Sequence, residues 1–575
     1  MAPQPYVIIT PNGSSQADEW ARLGLASQQV PGKFPEAEQH YKSALRLDPR
    51  HAVATQNLAV GYATNGNMNE ALITIERASL FDENNPIIHA NMAFMNLDVD
   101  RIGAALEAAE AAVKVSRETG TEEDVHGFLS SRLALAMVSA TAGMPEKSIP
   151  LYNEMLVKDP KHPIANPNVC FVQTLTNAAP ADLLQQRAKW YANNRFTGVK
   201  HPHDNDRTPD RPLRVGYVGG DFKRHSAAMI FGHVILRHNK TRVQPYLYCT
   251  LPVDPTADVI TKHFQDCGEW RDIANLTDEQ AEALIRKDRI DILVDLAGHT
   301  NGGRLALFTR KPAPVQVTAW GFAHGTGVEE IDYFLADPIA VPVTEREHYA
   351  EKIADLPCIV SYLEPTEYGL KGSSTLPFYQ NDFITFGSYG RYEKLSDECL
   401  ATFAEILRRT PDSRLQFKDH AFRRPYSIRR IMAAMPDINP SRLLFSISTS
   451  HPEHMLAYHQ ADLMLDPFPH GGGVVSLEEL YMGVPLVTLY GSQPSGRTAA
   501  SALTCLGHTE WIAKTPAEYI DIAANLAQDV PALAKARKTL RSEFLASPVV
   551  AGYREAVEAK YKEMWQEWCA RNAHN

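Results

Sequence analysis

One spacing governs the front of this 575-residue chain: Ala37, Ala71 and Ala105 recur at intervals of 34 residues. Tyr41, Ile75 and Ala109 repeat the same step, as do Ala44, Ala78 and Ala112. Upstream, Leu58-Ala59 and Met92-Ala93 hold matching places, with Leu23-Gly24 one residue out of step. A fourth unit, marked by Ser148, Tyr152, Met155 and Asp159-Pro160, keeps the internal spacing after an insertion near residues 117–125. Three columns in one register argue against an irregular helical bundle. A unit of this length holds two helices with small residues at their crossings, and each unit buries its apolar face only against the next. Stacked pairs form a groove suited to an extended peptide or a helix, so the expected role is recruitment of a partner.

The period is that of tetratricopeptide repeats, expected over 17–165 after an N-terminal segment at 1–16. Residues 166–212 read as a helical and linker region. The stretch from Phe196 to Pro212 is rich in Pro, His, Asp and Asn and has no apolar period. From Leu213 onward, short apolar runs alternate with helical stretches. Val215–Gly219, Tyr246–Tyr248, Ile290–Leu296 and Val315–Trp320 read as buried strands of a lobe at 213–372. Phe383–Phe386, Leu415–Lys418, Leu443–Ser446, Ala461–Leu465 and Pro485–Leu489 form a second lobe at 373–545. This alternation predicts α/β architecture with two Rossmann-like, parallel-sheet lobes, with ligands at the strand carboxyl ends. Tyr553, Val557, Tyr561, Met564, Trp565 and Trp568 have helical spacing and predict a closing helix within 546–575.

Charge and motifs remove other classes. The formal net charge is −11, against the basic field that nucleic acid requires. Seven scattered cysteines contain no C-x-x-C pair, which fits reduced thiols in a cytoplasmic protein. No signal peptide is expected from Met1–Ser15, and no run reaches the ~20 apolar residues of a membrane helix. Neither a G-x-G-x-x-G nor a P-loop text follows a strand. The Asp-x-Asp pairs fall at Asp98-Val99-Asp100 and Asp204-Asn205-Asp206, in the repeats and the linker, so no metal is expected.

Four stretches carry a family resemblance. They are Gly220–Ser226, Gly298–Thr300 with Arg310–Gln316, Arg391–Lys394, and Leu465–Gly473 running into Ser476–Pro485. In these the chain resembles the tetratricopeptide-fronted protein O-GlcNAc transferases, including Spindly-type O-fucosyltransferases, and it is identified as a bacterial homologue in that family. The resemblance implies a GT-B type glycosyltransferase with a nucleotide-sugar substrate, a protein acceptor recruited by the repeats, and no cofactor.

A departing nucleoside diphosphate needs preorganised positive charge. The turn Gly471, Gly472, Gly473, Val474 and Val475 precedes a helix expected near Ser476, where backbone N–H groups and the helix dipole favour phosphate. Family relatives tend to carry hydroxyl side chains at Gly473-Val474-Val475, so the backbone has to do more here. By resemblance, Lys394 is the diphosphate-contacting lysine, Glu478 the ribose-binding acid, His454 a neighbour of the nucleotide base, and His225 the active-site histidine. His299, at the end of the expected strand Ile290–Leu296, is a second candidate for sugar or acceptor contact. Asp288 aligns with a family carboxylate discussed as a base, but precedes its strand. Arg391, Lys418 and Arg497 are further candidates from their places beside strand ends.

The leading expectation is inverting transfer of GlcNAc from UDP-GlcNAc to Ser or Thr of proteins. GDP-fucose or UDP-glucose as donor stays open, because Gly298-His299-Thr300 and Glu478–Gly483 resemble the Spindly side more. A sugar-nucleotide epimerase or hydrolase fits the repeats poorly. A non-catalytic scaffold fits poorly with Lys394, His225 and Glu478 together.

Overall fold

A computed structural model describes residues 6–119, 124–252, 259–372 and 375–572. The chain divides into two compact units, one comprising Met1–Val172 with Arg424–Ser427 and the other the remainder.

The first unit is a run of helices: α1 (Gln16–Gln28), α2 (Phe34–Leu47), α3 (Ala52–Thr64), α4 (Met68–Phe81), α5 (Pro86–Asp98), α6 (Ile102–Glu118), α7 (Val125–Thr141) and α8 (Pro145–Lys158). Their starts are marked locally. Ser15 and Asp18 form a capping box on α1, and Asn85 caps α5 with Pro86 at its first position. The 34-residue columns fall on the second helix of each pair. Ala37, Tyr41 and Ala44 on α2, Ala71, Ile75 and Ala78 on α4, and Ala105, Ala109 and Ala112 on α6 are all 0% exposed. Ser148, Tyr152 and Met155 hold the same places on α8. Part of the insertion expected near 117–125, residues 120–123, lies outside the described residues.

The second unit begins at Gln173, ahead of the linker expected to end at 212. The reason is the helix Pro180–Asn194, whose Trp190 and Tyr191 share a buried cluster with Val218, Leu293 and Val328 of the first lobe. That lobe contains β1 (Leu213–Gly219), β2 (Val243–Cys249), β3 (Glu269–Asp272), β4 (Ile292–Asp295), β5 (Val315–Thr318), β6 (Tyr333–Ala336) and β7 (Lys352–Asp355). The second contains β8 (Thr385–Ser388), β9 (Arg414–Lys418), β10 (Leu443–Ser446), β11 (Leu463–Leu465), β12 (Leu486–Leu489) and β13 (Ile512–Ala513). Among the described residues the sheet orders are β3-β2-β1-β4-β5-β6-β7 and β10-β9-β8-β11-β12-β13, with every pairing parallel. In both sheets the order reverses beside the first strand of the lobe, which opens a crevice at the carboxyl ends.

Four strands are absent from the sequence reading: β3, β6, β7 and β13. The edge strands β3 and β7 end in charged, exposed residues, and β13 is two residues long, so these three show no apolar run, whereas β6 is a short, fully buried apolar run. The closing helix spans Tyr553–Arg571 and packs on the first lobe. Tyr553 accepts from Trp320 Nε1 (3.1 Å) and donates to the Cys358 carbonyl (3.0 Å). One buried cluster includes residues of both lobes and of this helix, from Val215 to Leu480 and Trp565. Among the described residues, no helix is long and apolar enough to cross a membrane.

Replacing Ala105 with Leu forces extra volume into a fully buried helix crossing. The expected cost is about 1–3 kcal/mol, read as a lower urea midpoint for the repeat transition, with the second unit's transition unchanged.

Candidate active site

The site is built around a turn that wraps its own carboxylate. β11 delivers Asp466 into the second lobe, where it is 3% exposed. One Asp466 oxygen accepts from the Gly472 N–H (2.6 Å) and Ser476 Oγ (3.3 Å), and the other from Thr488 Oγ1 (2.6 Å). A Cβ at Gly472 would stand 2.1 Å from Ser476 Oγ and 2.9 Å from Asp466 Oδ1, and one at Gly471 2.9 Å from Asp466 Oδ2. These two glycines therefore serve the close approach to Asp466. Gly473 differs, since nothing lies within 4 Å of a Cβ there. The open side of the turn is at Gly473.

The following helix is Val474–Met482, with Gly473 at its cap and no side-chain cap bond. It begins two residues earlier than expected, so Val474 and Val475 form its first turn rather than the preceding loop. Their N–H groups have no helical acceptor, and a short anion is the natural partner.

Lys394 lies after β8 in the short helical turn Tyr392–Lys394, and its Nζ donates to the Gly471 carbonyl at 2.6 Å. Burial, reinforced by Arg391, pulls its ammonium well below the usual lysine range, while Asp466 opposes this. Burial likewise pushes Asp466 up, against Thr488, Gly472 and Lys394. An anion arriving at the turn would therefore find a lysine whose charge is poorly compensated. His470, on the same turn, contacts Thr174 through Nδ1 (3.1 Å to Oγ1, 3.2 Å to the carbonyl). Gln493 Nε2 donates to the carbonyls of Thr176 and Ala178, both at 2.8 Å, so the chain before the first lobe is anchored to the second.

Glu478 sits on the second turn of the glycine-capped helix and is buried. Its Oε1 accepts from His451 Nε2 (2.8 Å), and its Oε2 from the Tyr458 hydroxyl (3.2 Å), with His454 Nε2 at 3.4 Å. Burial would raise this carboxyl, but the hydrogen bonds from His451 and His454 outweigh it and hold it at about 2. The chain of donors continues outward: Arg224 donates to the Tyr368 hydroxyl, which reaches His451 Nδ1 at 3.0 Å. Glu478 is thereby linked to the first-lobe loop that carries His225.

His225 caps the helix Ser226–Ile235, its Nδ1 accepting from Ala227 N (3.2 Å) with Asp221 Oδ2 at 3.4 Å, and its side chain is 45% exposed. His299 is buried. Its Nε2 donates to the Thr326 carbonyl (2.8 Å), its ring packs against Trp190 and Phe322, and burial lowers it to about 4, so it is neutral.

The remaining candidates are held in other pairings. Asp288 caps the C-terminus of Asp278–Lys287 ahead of β4, ion-paired to Arg271 (3.0 Å) and accepting from Tyr248 (2.9 Å). Lys418 at the end of β9 donates to the Ile447 carbonyl (3.0 Å) and Thr449 (3.1 Å). Arg497 makes a bidentate pair with Glu345 of the first lobe at 2.7 and 2.8 Å, and donates to Gly491 and Ala340, so it braces the lobes. Arg391 is exposed at the cap of the lysine's turn. Asp466, His451, Tyr458 and Tyr368 had no assigned role in the sequence. Asp466 stood in a motif, but its role depends on a backbone wrap that no spacing reveals.

Two parallel-sheet lobes with a glycine-capped helix in the second, preceded by tetratricopeptide repeats, define a GT-B type glycosyltransferase fold. The chain belongs to glycosyl transferase family 41, whose profile matches residues 173–361 and 373–555, while a tetratricopeptide profile matches 31–93. The chain is 34% identical over 391 residues to the probable UDP-N-acetylglucosamine–peptide N-acetylglucosaminyltransferase SPINDLY of Arabidopsis thaliana, covering 65% of this chain and 42% of that protein. It is 29% identical over 373 residues to the Arabidopsis protein SEC of the same description, covering 62% and 38%. The chain thus spans about two fifths of the length of the curated relatives it matches. Among solved structures, a Thermobaculum terrenum O-GlcNAc transferase mutant superposes with a TM-score of 0.75 at 26% identity, covering 97% of this chain and 100% of that one.

The glycines predict an asymmetry. Gly472→Ala drives a methyl into Ser476 and Asp466 and is expected to cost about 1–3 kcal/mol, whereas Gly473→Ala meets open space and stays within about 0.5 kcal/mol of the parent. Thermal melting of the two variants checks this, and equal losses would contradict the assignment of the turn's open side.

Proposed function

We propose that the protein transfers a single GlcNAc from UDP-GlcNAc to Ser or Thr hydroxyls of protein acceptors, with inversion and without a bound metal, and that the repeats recruit the acceptor. The observation that carries this reading is the convergence at one turn of free helix N–H groups, a half-buried lysine and a buried carboxylate one helical turn further on.

In this reading the acceptor oxygen attacks the anomeric carbon as its bond to the diphosphate oxygen breaks. The leaving oxygen gains negative charge, which the N–H groups of Gly473, Val474 and Val475 and the Lys394 ammonium stabilise. Lys394 exchanges its bond to the Gly471 carbonyl for one to phosphate. Glu478 accepts the ribose hydroxyls, and His451 and His454 keep it ionised. The acceptor proton passes to a base, for which His225 is the leading candidate because it is accessible, whereas His299 is enclosed. Seven free cysteines support a reducing, cytoplasmic setting.

A second donor remains in play for a specific reason: the turn presents no hydroxyl side chain at Gly473, Val474 or Val475. GDP-fucose and UDP-glucose are the competing donors. Melting shifts with the three sugar nucleotides distinguish them, and stabilisation by UDP-GlcNAc alone is expected. A shift with GDP-fucose alone would replace the donor. Lys394→Met is expected to lower turnover about 10²–10³-fold with folding intact, measured as nucleotide release in the presence of lysate protein. Undiminished turnover would remove Lys394 from the chemistry.

A further inference from the structure

The face formed by α1, α3 and α5 already holds a length of polypeptide. Residues 6–13 precede α1 with no helix of their own. The repeats take up their backbone at every second residue. Asn91 on α5 accepts from Val7 N (2.9 Å) and donates to the Val7 carbonyl (2.7 Å). Asn57 on α3 repeats this pair at Ile9, with the same 2.9 and 2.7 Å. Gln56 adds a donor to the Val7 carbonyl at 2.7 Å. On α1, Arg22 donates to the carbonyls of Pro11 (3.4 Å) and Gly13 (2.7 Å).

The register is regular. Asn57 and Asn91 stand one 34-residue repeat apart, and Arg22 stands one repeat before Gln56. Along the asparagine column, moving back one repeat advances the bound residue by two, from 7 to 9, while Arg22, in the Gln56 column, takes the carbonyls further on, at 11 and 13. Two residues of extended chain span about 6.6–6.8 Å, so each repeat reads one such step. An amide that bonds both the N–H and the C=O of one residue treats the peptide as a neighbouring strand would, and reads main chain rather than side chain.

These amides are committed to that use. Gln56, Asn57 and Asn91 are each 0% exposed, and a buried amide that loses its partner is costly. Apolar side chains anchor the segment: Tyr6, Ile8 and Ile9 pack against the repeats' buried cluster, Tyr6 lies edge-on to Phe94 at 6.4 Å, and its hydroxyl donates to Asp98.

We infer that residues 6–11 are a built-in occupant of a backbone-reading peptide site, and that an incoming extended protein segment binds only by displacing them. The displacing segment needs N–H groups at the two positions facing Asn91 and Asn57, so it carries no proline at either. Tethering gives the resident segment a high effective concentration, which weakens any competitor. The inference deepens the recruiting role proposed for the repeats and is independent of the sugar chemistry.

The test uses the full chain and a fluorescent synthetic peptide of residues 6–13. The double substitution Val7→Pro/Ile9→Pro removes both N–H donors of the resident segment. By anisotropy, this variant is expected to bind the probe at least about tenfold more tightly than the parent. Adding Asn57→Ala and Asn91→Ala is expected to abolish that binding. Equal binding by parent and proline variant, including none by either, overturns the proposal, as does binding that survives loss of the asparagines. Hydrogen exchange separates this from misfolding. In Asn57→Ala/Asn91→Ala, the amides of Val7 and Ile9 are expected to lose protection while those of α4 keep theirs; retained protection at 7 and 9 also overturns it.

Discussion

The contact on which the second unit depends is the wrap of the 471–476 backbone around the Asp466 carboxylate. A buried carboxylate needs several donors to be tolerated, and here they are an N–H of the turn, a serine of the next helix and a threonine of the neighbouring strand. Meeting that requirement fixes the loop between β11 and the helix Val474–Met482. The helix then starts with its first N–H groups open, Lys394 is held against the same turn by the Gly471 carbonyl, and Glu478 is carried into the interior on the helix's second turn. The anion-directed geometry is thus a consequence of satisfying one buried negative charge.

Around that centre the lobes are joined by specific polar contacts as well as by a shared core. The Arg497–Glu345 pair crosses between them, the Gln493 bonds tie the chain before the first lobe to the second, and the closing helix bonds to β6 of the first. The Arg224–Tyr368–His451–Glu478 chain also runs from one lobe to the other, and it ends on the acid expected to hold ribose. That chain links Glu478 to the loop that carries His225 through bonds between neighbouring polar groups.

What the sequence revealed follows from how locally each feature is encoded. The repeat period appears directly because each helix crossing demands a small residue at the same offset. Buried central strands such as β1 and β4 appear as apolar runs, whereas β3 and β7 are charged at sheet edges and leave no run. Within the site, Lys394, Glu478 and the glycines stand in recognisable motifs. The helix start at Val474 is not legible, because valines after glycines read as loop. Tyr368 joins His451 and Arg224, 83 and 144 residues away in sequence, a relation visible only after folding. The resident segment at 6–11 is not legible either, because side-chain amides on two repeats grip main chain, which has no sequence signature.

The most direct measurement is a crystal structure of the protein soaked with UDP. The account predicts diphosphate oxygens on the N–H groups at Gly473–Val475, ribose hydroxyls on Glu478, and Lys394 Nζ turned from the Gly471 carbonyl to phosphate. A nucleotide bound away from this turn, or Lys394 still bonded to Gly471 beside an occupied site, would contradict it.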